Sequence, residues 1–311
     1  MLEVNIEEVT TDLHTIADFL RWSMSRFNES DLYYGHGATN AWDEAVSLAL
    51  FALHLPDNLD DSIMQTRLTK TEKMAVINLV LRRIDERIPA AYLTNLAYFC
   101  RLPFYVDERV LVPRSPIGEL IENGFAGLIE HQPHSILDLC TGSGCIAIAS
   151  AYAFPDAVVD GVDLSDDALD VAQLNIHNHE LDERVRAVKS DIFSGVAGLQ
   201  YDLIVSNPPY VDAEDMGDMP DEFHHEPEMG LACGNDGLDI VRVILAEASE
   251  YLTDKGTLIC EVGNSMIHVQ ALYPEVEFNW IEFERGGLGV FQLTKQQLEQ
   301  HKQLFKQKVS K

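Results

Sequence analysis

Positive charge is what this sequence lacks most. Its 311 residues carry 22 Lys and Arg against 51 Asp and Glu, a formal net charge of -29. Nucleic-acid binding rests on Lys and Arg neutralising phosphates, so DNA or RNA as the primary ligand is disfavoured and a basic protein partner is favoured. Cysteine is scarce and unpatterned: Cys100, Cys140, Cys145, Cys233 and Cys260 contain no C-x-x-C pair. That argues against a disulfide framework or a zinc site and suits a reducing compartment. His177, His179, His224 and His225 lack partner cysteines and metal-ligand spacing, so no metal is expected. No apolar run approaches the roughly 18 residues of a membrane span, and the acidic start MLEVNIEEVT has no signal-like apolar stretch. Together these absences predict a cytoplasmic protein with no membrane contact and no direct DNA binding. The 46% hydrophobic content is enough for a real core, and the length suggests one large domain or two unequal ones.

The chain divides by periodicity. In residues 1–90, VTTDLHTIADFLRWSMSRF sets Leu13, Ile16, Ala17, Leu20 and Met24 on one helical face. Two further helical runs stop at Pro56 and Pro89, and Thr69 with Glu72 forms a capping-box pattern. A small all-helical domain is expected, with Trp22 and Trp42 as core or interface residues. Residues 91–112 turn to period-two, aromatic and β-branched character, which predicts a strand-pair linker. From 113 to 311, the short apolar runs SILDLC, AVVDGVDL, VRAVKSD, YDLIVSN and GTLICEVG alternate with helical segments. That rhythm predicts an α/β domain with a mostly parallel sheet, covered on both faces and closed near RGGLG by an antiparallel hairpin.

The run ILDLCTGSGCIAIA passes from a strand into a small-residue helix, with Gly142 and Gly144 in the turn. Glycines there let backbone approach a ligand, and the helix start offers free N–H groups. Gly142, Gly144 and Ala147, with Asp163 further on, also match the dinucleotide form G-x-G-x-x-A. The loop alone leaves a nicotinamide enzyme and one using S-adenosylmethionine both open. Asp138 lies inside the first strand, where its carboxylate either takes a cationic or amino-bearing ligand or bonds amides of its own loop. Asp163 ends the second strand within reach of ribose hydroxyls, while Ser165, Asp166 and Asp167 start the next helix. Asp191 follows the third strand, placed to take an adenine amino group with Ile192 and Phe193 covering the ring. Cys140 and Cys260 read as small core residues and Cys145 as packing.

The fourth strand leads into VSNPPYVD. Pro208 and Pro209 must end the strand, so the tetrapeptide Asn207, Pro208, Pro209, Tyr210 is at least a stiff turn. It also suits one chemical problem. A planar amide or aromatic amine is a poor nucleophile because its lone pair is delocalised. A site that accepts both of its N–H hydrogens draws the nitrogen towards tetrahedral geometry and stabilises the charge developing on it. The Asn207 side-chain oxygen and the Pro208 carbonyl supply two acceptors, and the Tyr210 ring can lie against the planar group.

With NPPY downstream of LDLCTGSG, VDLS and SDIF, the sequence resembles the class I methyltransferases acting on planar nitrogens. Adenine methyltransferases of DNA and protein-glutamine methyltransferases both use the tetrapeptide. The second branch is similar along nearly the whole chain, having a helical N-terminal domain, a strand-pair linker and a VLVPR-type segment. Release-factor enzymes of that branch follow the arginine with Pro, an acid, Thr and Glu, whereas this chain reads VPRSPIGEL and later FHHEPEMGLACGNDGL. These stretches look closest to the enzymes that methylate a glutamine of the third protein of the large ribosomal subunit.

The resemblance implies a class I, Rossmann-like fold with a seven-stranded sheet, S-adenosylmethionine as cofactor, and a ribosomal protein, free or in an assembly intermediate, as substrate. It implies cofactor contacts from Asp138, Cys140, Thr141, Gly142, Ser143, Gly144, Asp163, Leu164, Asp191, Ile192, Phe193 and Asn207. Catalysis would fall to Asn207, Pro208, Pro209 and Tyr210, and substrate binding to Arg114, Asn207, Pro208, Tyr210 and Glu226, with Glu226 and Pro227 ordering a lid. Between Val211 and Glu228 lie eight acids and no Lys or Arg, either a solvated loop or a surface that attracts a basic protein. Alternatives are release-factor glutamine methylation, a nucleic-acid adenine methyltransferase, a nicotinamide dehydrogenase, and a non-catalytic ribosome assembly factor.

Overall fold

The computed structural model describes residues 4–56 and 58–309. They form two compact units: residues up to Ala97 together with Pro220–His225, and the remainder from Tyr98 onward.

The first unit is helical: α1 (Ile6–Asp12), α2 (Ile16–Glu29), α3 (Ala41–Ala52), α4 (Lys70–Asp85) and α5 (Ala90–Thr94). Each long helix begins where a short polar side chain satisfies the free N–H groups of a first turn. Thr15 with Asp18, and Thr69 with Glu72, form capping boxes, and Asn40 accepts from Trp42 and Asp43. The apolar stripe of α2 buries Phe19, Leu20, Trp22 and Phe27 against Leu48, Val76 and Val80, each side chain contributing on the order of 1.5–3 kcal/mol. Trp42 does not join them. It sits in the first turn of α3, 47% exposed. Arg83, 1% exposed, is held by Glu44, by Glu222 at 3.0 Å and by the Tyr33 carbonyl at 2.9 Å. Phe223 packs on Tyr33 and His36, so Pro220–His225 is a built part of this unit.

The strand pair is shorter than its periodicity suggests. Helix α5 occupies the start of the 91–112 stretch, ended by Asn95 in the left-handed region, and only β1 (Ala97–Phe99) and β2 (Leu102–Phe104) pair.

The second unit continues through α6 (Ile117–Glu122), β3 (Ser135–Leu139), α7 (Cys145–Ala153), β4 (Val158–Asp163), α8 (Asp166–Asn178), β5 (Val185–Lys189) and β6 (Tyr201–Ser206). After α9 (Ala213–Gly217) and α10 (Glu228–Leu231) come α11 (Asp239–Tyr251), β7 (Leu252–Glu261), α12 (Met266–Leu272), β8 (Asn279–Trp280), β9 (Val290–Thr294) and α13 (Lys295–Val309). Seven strands make one sheet in the order β5-β4-β3-β6-β7-β9-β8, parallel from β5 to β7 and antiparallel beyond. This is the class I methyltransferase arrangement, an α/β fold. The closing pair is looser than a tight hairpin, with β8 confined to Asn279–Trp280 and residues 281–289 between the strands.

Successive residues face opposite layers, as period-two geometry demands. Ile136, Leu203, Val205 and Ile259 pack with α6 and α7, while Leu137, Ile204, Leu258 and Cys260 pack with α11 and α13. Helix α13 buries Leu298 and Phe305 in the second layer. The chain winds outward from β3 in both directions, so the sheet's switch point lies between β3 and β6. Ligands of open α/β sheets bind at the carboxyl ends of the strands flanking that point. Here those ends lead into residues 140–144 and 207–210.

Candidate active site

Asp138 is the fourth residue of β3 and fully buried. Its Oδ2 accepts from Thr141 Oγ1 at 2.5 Å and from the Ala147 amide of α7 at 3.1 Å. The helix thereby gains a remote cap, since Gly144 at its start has no side chain to offer. The other oxygen, Oδ1, is buried without a partner among the described residues. One oxygen thus serves its own loop, as one of the two readings of this acid expects, and the other is left over. Burial outweighs the two hydrogen bonds and raises its pKa to about 7. The loop turns through left-handed backbone at Cys140, Gly142 and Gly144 (φ +59, +54 and +80). Cys140 thus lies just outside the strand and only partly buried, unlike the core residue its apolar neighbours suggest. Cys145 and Cys260 are buried, and burial raises the Cys145 thiol to about 12.

Asp163, at the end of β4, joins two loops. Its Oδ2 accepts from Gly142 N at 3.0 Å and its Oδ1 from Ser165 N at 2.9 Å. Leu164 beside it is 51% exposed. After β5, Asp191 is exposed and Ile192 half-buried with φ +49. Phe193 departs from expectation. Its ring is 1% exposed, in the core and stacked on Tyr251 at 4.4 Å, because the turn at Ile192 sends it under the sheet edge. It is not available to cover an adenine ring.

At the end of β6, Ser206 Oγ bonds the Leu139 carbonyl at 3.0 Å and ties the two central strand ends together. Pro208 and Pro209 are buried, and the Asn207 side-chain oxygen is buried with no partner among the described residues. Tyr210 is held from several sides. Its hydroxyl donates to Glu261 Oε1 at 3.0 Å, and its carbonyl accepts from Ser265 Oγ at 2.8 Å. A Cβ on Gly263 (φ +46) would fall 2.5 Å from the Tyr210 ring, and one on Gly237 (φ +71) 2.1 Å from its carbonyl oxygen. Only glycine fits at either place.

Arg114 and Glu226 meet each other. Arg114 Nη2 donates to Glu226 Oε2 at 2.7 Å, and the same carboxylate accepts from Val112 N at 3.0 Å. The VLVPR segment is thus fastened to the chain returning after the acidic stretch. Of the eight acids there, Glu222 and Glu226 are buried, and Asp212 caps α9. Glu214, Asp215, Asp218, Asp221 and Glu228 are exposed. Among the described residues no cluster of His, Cys, Asp or Glu could hold a metal, and no helix is long and apolar enough to cross a membrane.

Residues 121–227, from α6 through both strand-end loops to Glu226, match the model of the family "Methyltransferase small domain". Over 302 residues the chain is 46% identical to the ribosomal protein uL3 glutamine methyltransferase of Francisella tularensis subsp. tularensis, covering 96% of each. The chain belongs to this family. The protein of the same name from Xanthomonas campestris pv. campestris is 51% identical over 291 residues, 93% of this chain and 94% of that one. A solved methyltransferase from Pyrococcus furiosus is 20% identical and covers 70% of this chain and 97% of its own, at a TM-score of 0.45. The glycine loop, open in sequence between two nucleotide cofactors, is therefore that of a methyltransferase.

Several residues around the tetrapeptide went unread in the sequence: Glu261, Ser115, Ser265, Gly237 and Gly263. A signal existed for the first and last. CEVG ends an apolar strand with an acid followed by glycine, much as LDLCTG does around Asp138.

Proposed function

We propose that this chain transfers a methyl group from S-adenosylmethionine to the side-chain amide nitrogen of a glutamine in ribosomal protein uL3, in the cytoplasm. The supporting observation is the buried Asn207 oxygen, without a partner among the described residues, beside a fixed tyrosine at the switch point of the sheet. A buried acceptor without a donor costs on the order of 1–3 kcal/mol, and a substrate amide N–H would recover it.

The residues present fit the cofactor. Asp138 Oδ1 is a leftover acceptor in the glycine loop, suited to an amino group. Asp163 keeps lone pairs for ribose hydroxyls beyond its two amide bonds, and Asp191 is exposed at the next strand end. Cys140, Thr141, Ser143 and Leu164 line the same turns. When bound, S-adenosylmethionine supplies an electrophilic methyl. The protein's part is to ready the acceptor nitrogen: Asn207 Oδ1 and the Pro208 carbonyl take its two hydrogens, and the Pro-Pro corner fixes their separation. Tyr210 lies against the planar amide, so the lone pair localises as the bond forms. No strong base is needed, because an alkylated amide nitrogen is itself very acidic.

Replacing Asn207 with alanine removes one positioned acceptor. Turnover is expected to fall about 100-fold with cofactor affinity nearly unchanged, as single-turnover kinetics and calorimetry would record. Near-normal turnover in Asn207→Ala would sink this reading and favour a non-catalytic assembly role.

The five exposed acids following the tetrapeptide would draw a basic substrate, free or in an assembly intermediate, and disfavour DNA. The helical unit, with Pro220–His225 built into it, would contribute to substrate recognition.

A further inference from the structure

Glu261 ends β7 and is 4% exposed. It accepts on both carboxylate oxygens: from Tyr210 Oη at 3.0 Å on Oε1 and from Ser115 Oγ at 2.5 Å on Oε2. A buried carboxylate is costly unless donors compensate it. Packing alone would favour an apolar residue at this strand end, as at Cys260 and Val262 on either side. Its two donors come from the tetrapeptide and from the residue after Arg114. Ser115 also accepts from the Ile117 amide at 3.2 Å, which fixes its own orientation.

From this geometry we infer that Glu261 is the positioning residue for Tyr210, holding the phenol so that its ring meets the substrate amide at a fixed inclination, with Ser115 holding Glu261 in turn. The inference rests on the proposed role of the tetrapeptide and deepens it. The Pro208 carbonyl is placed by the backbone corner itself, but the ring of Tyr210 has free torsions that the corner does not set. Gly263 limits the ring from one side, Ser265 anchors its carbonyl, and Glu261 fixes the far end. A ring locked before substrate arrives has no ordering left to do in the transition state. The chain joining Val112 to Ser115 is itself held by Glu226. The same network therefore ties the lid return to the tyrosine.

The test is a double-mutant cycle on the full-length enzyme with uL3 and S-adenosylmethionine. Glu261→Ala and Tyr210→Phe are each expected to lower kcat about tenfold with cofactor affinity unchanged, and the double variant to be no worse than either alone. Glu261→Gln keeps an acceptor for the phenol and is expected to restore most of the rate, which also guards against misfolding of the alanine variant. Additive losses in the double variant, or wild-type kcat in Glu261→Ala, would overturn the inference. With Asn207→Ala assayed alongside, a wild-type rate in Glu261→Ala but not in Asn207→Ala removes this inference alone. Wild-type rates in both remove the underlying reading as well.

Discussion

Asp138 and Asn207 share an unusual state: each places a side-chain oxygen in the interior with no partner among the described residues. For Asn207 the consequence is chemical, since its oxygen remains available to an incoming N–H. For Asp138 it is also electrostatic. An unfolded Asp titrates near 4, whereas burial raises this one to about 7. The folded protein holds that proton more tightly, so the stability it contributes is full below about pH 4 and is lost as pH rises through about 7. A cationic or amino-bearing ligand favours the ionised form, so cofactor affinity is expected to be highest above about pH 7 and to weaken as pH falls below it. Calorimetric titration at about pH 6 and 8 checks this. Asp138→Asn should flatten the dependence, and a wild-type affinity that ignores pH over that interval would refute the assignment of this carboxylate to the cofactor.

At the scale of elements, the site is a set of strand ends and their return loops. The parallel strands follow from short apolar runs alternating with helices, so β3, β4, β5 and β6, with the loops they carry, are legible without coordinates, while their order in the sheet is not. Capping at Thr69 is legible for the same reason, because its partner lies three residues away. What local pattern does not reveal are bonds between distant residues. Ser115 and Glu261 lie 146 positions apart, and Arg114 and Glu226 lie 112 apart. Phe193 was misplaced because a left-handed Ile192, unusual for a β-branched residue, redirects the chain beneath the edge. Trp42 was expected in the core or at an interface because of its size, but it is 47% exposed in the first turn of α3. Gly263 exemplifies an element-level constraint. An added methyl there would strike the Tyr210 ring and sit at φ +46. Gly263→Ala should lower turnover at least tenfold and cost about 1 kcal/mol of stability, measured by denaturant unfolding. An alanine variant with normal kcat would contradict the tight fit.

For the whole molecule, the dominant fact is the charge of -29, with five exposed acids directly after the Asn207–Tyr210 corner. Long-range attraction between this surface and a basic protein is screened by salt, while short-range cofactor contacts are screened far less. The substrate identity is the central claim, and one experiment tests it most directly. Extract from cells lacking this enzyme would be incubated with it and with S-adenosylmethionine carrying a radiolabelled methyl, at low and at high salt. The labelled polypeptide and residue would then be identified. The account predicts label on a glutamine of uL3, weaker at high salt. Label on a release factor or on nucleic acid, or no label at all, would contradict it.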